Sequence, residues 1–158
     1  MPNPIETATD LTDSMLPAEL FGKKYALMVN SGSSANLLAI QSLNFSKKSE
    51  VITPTLTFST TISPIYQSGL IPNFIDVKKN TFVADVEQIE KQINKNTKII
   101  LIPNLIGNIA NWEKISKLAK KYKLTTIEDS ADTLGYKFKG KNTGKLSDIT
   151  TNSFYASH

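Results

Sequence analysis

The sequence predicts an α/β fold, a mainly parallel sheet with helices on both faces. Two observations carry that expectation. Short β-prone runs alternate along the chain with segments whose apolar residues recur at helical spacing, which is the order of βαβ units. Two of the runs, Tyr25–Val29 and Lys98–Ile102, are almost continuously apolar instead of alternating, as suits strands covered on both sides.

Residues 1–20 carry Pro2, Pro4 and Pro17 among Thr and Asp without sustained periodicity, and read as an irregular arm with room for one helical turn. The remainder, 21–158, reads as one partial domain. Tyr25–Val29 is the first expected strand. It runs into the small-residue turn Asn30–Asn36, after which Leu37, Leu38, Ile40 and Leu43 continue at helical spacing. Glu50–Thr53 is a second strand, ended by Pro54. A helix from Phe58 to Gln67 is expected to be interrupted by Pro64 and stopped by Gly69. Ile71–Ile75 is a third strand, and Val86, Ile89 and Ile93 mark a helix. Lys98–Ile102 is the clearest strand. Trp112, Ile115, Leu118, Ala119 and Tyr122 form the apolar stripe of the next helix. Thr125–Ile127 is a short strand leading into Glu128, Asp129 and Asp132, closed by Gly135. Tyr136–Lys141 reads as a small hairpin arm, and Asp148–Tyr155 as a last extended run that stops at His158. A strand delivering a histidine is expected to lead into more structure, so the chain reads as part of a longer one.

Composition narrows the function classes. The chain has 158 residues, 40% of them apolar and 20% charged, as in ordinary globular proteins. It has no cysteine and one histidine, which leaves no disulfide framework, thiolate metal site or polyhistidine site within it. The net charge of +4 comes from 18 basic residues, all lysine. Arginine dominates base readout and bidentate phosphate recognition, so an arginine-free chain argues against a nucleic-acid partner. Lys114, Lys117, Lys120, Lys121 and Lys123 read as a solvated helix face. The N-terminal residues do not have the basic-then-apolar order of a signal peptide, and no run approaches the ~20 apolar residues of a membrane span. A cytoplasmic location is the expectation.

Three clusters carry possible chemistry. Ser31-Gly-Ser-Ser-Ala35 opens a helix, where free N–H groups and the positive dipole end suit a phosphate; simple N-capping explains the same residues. Glu128 and Asp129 sit at the carboxyl end of a strand, where open parallel sheets bind ligands, although a solvated loop explains them too. A buried carboxylate at Asp129 would keep a pyridine nitrogen protonated. Ser153-Phe-Tyr-Ala-Ser-His158 presents a serine and an ionisable ring at a strand end, and a lone histidine is usually a surface residue.

Together these stretches resemble the DegT/DnrJ-type sugar aminotransferases, fold-type I pyridoxal-phosphate enzymes that act on nucleotide-linked keto sugars. Tyr25–Leu37 is similar to that family's strand and phosphate turn. Val51–Thr60 is similar to the segment that lays an aromatic ring, here Phe58, over the cofactor. Glu128–Gly135 is similar to the segment whose aspartate, here Asp129, holds the pyridine nitrogen. The resemblance implies the large domain of a fold-type I enzyme, truncated. It assigns the phosphate to Gly32, Ser33, Ser34 and Ser153, and a further cofactor contact to Asp132.

One departure is informative. The family's motif has Ser-Phe, three residues, then the lysine that binds the cofactor covalently. Counting from Ser153 and Phe154 puts His158 there, and an imidazole has no amine to condense with the cofactor. A branch of the family with this substitution consists of pyridoxamine-phosphate-dependent sugar 3-dehydratases. Asp132 and Leu105-Ile-Gly-Asn108 also resemble that branch. The implied activity is 3-deoxygenation of a nucleotide-linked 4-keto-6-deoxyhexose, in deoxysugar or lipopolysaccharide O-antigen biosynthesis. His158 would be base and then acid, and Asp129 would stabilise charge in the ring. The resemblance further implies a homodimer and, in some members, an iron–sulfur cluster with a reductase partner. Cysteines for such a cluster would lie beyond residue 158. The rival expectations are a nucleotide-sugar aminotransferase with a changed base and a non-catalytic remnant.

Overall fold

The computed structural model describes residues 17–155. A helical turn at 17–20 precedes the extended segment 23–30. The regular elements that follow are α1 (Gly32–Ser42), β1 (Glu50–Pro54), α2 (Ser59–Gln67), β2 (Ile71–Ile75), α3 (Val86–Gln92) and β3 (Thr97–Pro103). After them come a 3-10 turn at Leu105–Gly107, α4 (Trp112–Tyr122), β4 (Thr125–Asp129), β5 (Lys137–Phe138), β6 (Lys141–Asn142) and β7 (Ile149–Thr151). Five strands form one sheet in the order β2-β1-β3-β4-β7, every neighbour parallel. β5 and β6 make a separate antiparallel pair.

The period-2 alternation of strand side chains builds two cores from one sheet. Ile52, Ile100 and Ile102 pack on Ile89 of α3 and on Trp112, Ile115 and Leu118 of α4. Val51, Ile99, Leu101 and Ile127 pack on the opposite face against Ala39 and Ile40 of α1 and Ile65 of α2. Helices therefore cover both faces, as the apolar runs require. α4 is stopped at each end by a local device: Asn111 Oδ1 accepts from the Lys114 amide, and Lys123 closes the helix in the left-handed conformation. The five lysines of this segment are exposed.

Several expectations need correction. Tyr25–Val29 is no strand, and Tyr25 and Leu27 are 77% and 73% exposed. The segment and the Asp148–Thr151 edge line the same open cavity of about 1100 Å³, and β7 is paired only with β4. Pro64 does not interrupt its helix, since α2 runs through it. A proline there leaves the carbonyl four residues earlier without its helical donor. Asn36 Nδ2 from α1 takes that place, donating to the Thr60 carbonyl at 3.4 Å. The last extended run is shorter than expected, with only Ile149–Thr151 paired. The hairpin at 136–141 forms; its turn residues Lys139 and Gly140 both have positive φ, as two-residue hairpin turns need.

Glu128 and Asp129 do not lie in a solvated loop. Both end β4 and are buried, on opposite faces of the sheet. Glu128 is fully buried on the α4 side, where Oε1 accepts from Asn104 Nδ2 at 2.8 Å and Ser130 Oγ at 3.2 Å, and Oε2 accepts from the Gly144 amide at 2.9 Å. Asn104 is the hub of that region, because its Oδ1 also accepts from Trp112 Nε1 at 3.0 Å and the Ala110 amide at 3.1 Å. Burial pushes the Glu128 carboxyl above its ordinary value, against the four hydrogen-bond donors that pull it down. A carboxyl raised in the folded state contributes stability below its unfolded value and loses it as pH rises through the folded one. The stability difference between the wild type and Glu128→Gln is therefore expected to shift against the wild type from about pH 4.5 upward. Its slope is at most about 1.4 kcal/mol per pH unit. Urea denaturation of both proteins across pH 4–8 measures it, and parallel curves would refute the assignment.

Candidate functional site

The carboxyl ends of β1, β3, β4 and β7 open on the cavity, the place where parallel sheets bind ligands. Its wall includes Thr57 and Phe58 after β1, Asn104 and Leu105 after β3, Asp129 and Asp132 at and after β4, and Thr151–Tyr155 at and after β7. The first turn of α1 completes it with Gly32 and Ser33. Of the residues singled out in the sequence, Gly32, Ser33, Phe58, Asp129, Asp132 and Ser153 thus share one cavity. Ser34 is beside it, not on its wall: its amide donates to Ser31 Oγ at 3.2 Å, and its hydroxyl accepts from Ser31 Oγ at 3.1 Å. Ser31 is a true N-cap, as the capping explanation of this turn requires. His158 lies outside the described residues.

Gly32 is needed for close approach. A Cβ built there would lie 3.1 Å from Ser153 Cβ and 3.4 Å from the Asn152 carbonyl oxygen, so the helix start and the segment after β7 meet edge to edge. Phe58 leads into α2 with its ring 60% exposed. Asp132 Oδ2 accepts from the Ile106 amide at 2.7 Å, which holds the 3-10 turn against the loop after β4. Ile106 pays for that contact with φ +53°, a conformation that β-branched residues rarely adopt.

Asp129 has the most defined surroundings. Its Oδ2 accepts from Asn36 Nδ2 at 2.9 Å and from Thr61 Oγ1 at 3.0 Å. Oδ1 accepts from the Ala131 amide at 3.3 Å. One oxygen is saturated by two neutral donors, and the other, with a single donor, keeps acceptor capacity. Such a group can hold a proton on a basic ring nitrogen. Sequence reasoning missed Asn36 and Thr61. The available signal was a polar residue, Asn36, one helical turn before the apolar Ile40 and so on the buried face. It also missed Thr57 and Asn152, whose buried Oγ1 and Oδ1 have no hydrogen-bond partner among the described residues.

The sequence profile of the DegT/DnrJ/EryC1/StrS aminotransferase family matches residues 16–158, and the chain belongs to that family. It is 40% identical over 149 residues to the dTDP-4-dehydro-2,6-dideoxy-D-glucose 3-dehydratase of Saccharopolyspora spinosa, covering 89% of this chain and 32% of that protein. Among solved structures it is similar to the aminotransferase from Psychrobacter cryohalolentis, with a TM-score of 0.87 and 32% identity over 91% of this chain and 36% of that one. It is also similar to the E. coli GDP-4-keto-6-deoxy-D-mannose-3-dehydratase with bound hydrated pyridoxal phosphate. There the TM-score is 0.76 and the identity 35%, over 89% of this chain and 36% of that one. The chain spans about a third of the length of these proteins. The expected architecture, the large domain of fold-type I enzymes, is the one these neighbours share with it.

All three partners of the Asp129 carboxylate are donors, so an amide cannot replace it without setting N–H against N–H or O–H. Asp129→Asn is expected to lose about 1–3 kcal/mol of stability with no ligand present, unlike a typical surface change. Urea denaturation of the ligand-free proteins measures this, and an unchanged midpoint would refute the bonding scheme.

Proposed function

We propose that this chain supplies the cofactor-binding part of a pyridoxamine- or pyridoxal-phosphate-dependent enzyme. Its reaction would remove the 3-hydroxyl of a nucleotide-linked 4-keto-6-deoxyhexose. The observation that carries the cofactor reading is the Asp129 carboxylate, held on one oxygen by two donors and bonded on the other by a single amide, in the cavity that Gly32 and Ser153 close. The residues present fit such a group. Glycine at position 32 brings the Ser153 segment against the α1 N-terminus, whose free N–H groups suit a phosphate. Dehydration, as against transamination, is supported by His158 in the lysine position and by the 3-dehydratase relatives.

When bound, the cofactor supplies an amine for the sugar's keto carbon and a pyridine ring that takes up electrons. The chain's residues do the rest. Gly32, Ser33 and Ser153 would hold the phosphate, joined by Ser34 once its bonds to Ser31 are exchanged, while Phe58 would stack on the ring and Asp132 would contact it from the loop after β4. Asp129 would keep the proton on the ring nitrogen. His158 would serve as the base that takes a proton beside the cofactor's amine and, once protonated, as the acid that gives one to the hydroxyl leaving sugar carbon 3. The sum of these transfers is loss of one water.

The same reading includes a cytoplasmic location and a homodimer, for which the exposed Tyr25, Leu27, Met28, Phe154 and Tyr155 on the cavity wall offer apolar surface. A reductase partner belongs to it only if a cluster is bound outside this chain. The aminotransferase likeness supports a second reading, in which the product gains an amino group.

The test is to incubate the protein with pyridoxamine phosphate and a GDP- or dTDP-linked 4-keto-6-deoxyhexose and follow water loss by mass spectrometry. His158→Ala is expected to lower turnover by about 10²–10⁴-fold with cofactor affinity little changed. Gly32→Val is expected to weaken cofactor binding at least about tenfold, one lost charge-assisted contact. If no sugar is dehydrated and His158→Lys changes nothing, the dehydratase reading fails; an aminated product would establish the second reading instead.

A further inference from the structure

We infer that Asn36 is a positioning residue that fixes the orientation of the Asp129 carboxylate toward the cofactor's ring nitrogen; this rests on the cofactor reading above. Asn36 is 3% exposed and uses both ends of its amide. Nδ2 donates to Asp129 Oδ2 at 2.9 Å and to the Thr60 carbonyl at 3.4 Å. Oδ1 accepts from Thr151 Oγ1 at 2.6 Å. The amide has one workable orientation, because a flip would set its oxygen against the carboxylate and its nitrogen against the hydroxyl donor.

Each partner comes from a different element. Asn36 rides on α1, the helix whose N-terminus faces the phosphate position. Thr60 is on α2, Asp129 ends β4 and Thr151 ends β7. Pro64 favours the arrangement, since a proline at that place leaves the Thr60 carbonyl without its helical donor. The amide thereby joins the phosphate end of the cavity to the carboxylate end. Thr61 Oγ1 holds the same Oδ2, so the plane of the carboxylate cannot tilt without breaking two bonds.

The surroundings make this contact matter. The elements packed on Asp129, which are α1, α2, β3 and β7, carry no acid or base except Tyr66, an exposed side chain, and Lys98 at the opposite end of β3. The charged residues of the cavity wall are Lys23, Asp132 and Asp148. Glu128, next to Asp129 in the chain, is on the other face of the sheet. Neutral donors at fixed distances therefore do the orienting.

The experiment uses the protein loaded with pyridoxamine phosphate labelled with ¹⁵N in the ring, whose ¹⁵N shift is followed against pH. In the wild type the ring nitrogen keeps its proton to the highest pH. Asn36→Leu is expected to move deprotonation down by about 1 pH unit, a tenfold change. Thr151→Val frees the far end of the amide and is expected to give a smaller shift in the same direction. Ile40→Val loosens the same helix without touching the amide, and is expected to lower stability with no shift. If Asn36→Leu does not fold, Thr151→Val decides. Unchanged titration in the variants that bind cofactor would overturn the inference alone, as would an equal shift from Ile40→Val. A wild type that binds no pyridoxamine phosphate would remove the cofactor reading and this inference with it.

Discussion

Two neutral donors on one oxygen of Asp129 are the contact on which the site depends. A carboxylate at the end of a central strand is costly to bury unless it is hydrogen-bonded, and here the partners arrive from elements far apart in sequence. Asn36 is 93 residues away and Thr61 is 68. The sheet must be formed and both helices docked on it before the carboxylate can be satisfied. Folding and site assembly are one event on this face.

The strand period explains how the neighbouring acid serves a different purpose. Asp129 shares its face with Ile127, over α1 and α2, whereas Glu128 points to the α4 side. There it ties Asn104, Ser130 and Gly144, and through Asn104 the Trp112 indole. The loop after β3, the start of α4 and the turn before β7 are thus fastened behind the sheet. The loops carrying Leu105, Asp132 and Asn152 in front of it lean on that fastening. Two adjacent letters of sequence divide into a support on one side and a working group on the other.

Much of this was legible. Periodicity located the helices and the inner strands because each has a face or a run that must be buried, and the motif residues Gly32, Phe58, Asp129, Asp132 and Ser153 do share a cavity. What was not legible has physical reasons. Tyr25–Val29 has the composition of a buried strand, but a strand exists only with a hydrogen-bonded neighbour, and composition does not say whether one is within reach. Pro64 reads as a break because local rules know nothing of a donor 28 residues earlier. The role of Glu128 could not be separated from that of Asp129 until the register of β4 was known.

The departures from local rules are themselves informative, because they converge. A proline inside α2, an asparagine on the buried face of α1, a glycine in the first turn of α1 and an isoleucine at positive φ each cost stability where they stand. Singly they look like noise. In the fold, the proline frees a carbonyl for the asparagine, the asparagine holds Asp129, the glycine admits the Ser153 segment, and the isoleucine's amide holds Asp132. Four separate penalties surround one cavity, and the two helices that meet there have no apolar need for any of them. Consistency across levels is the rule for a folding unit, and its violations gather where the chain is shaped to meet something other than itself.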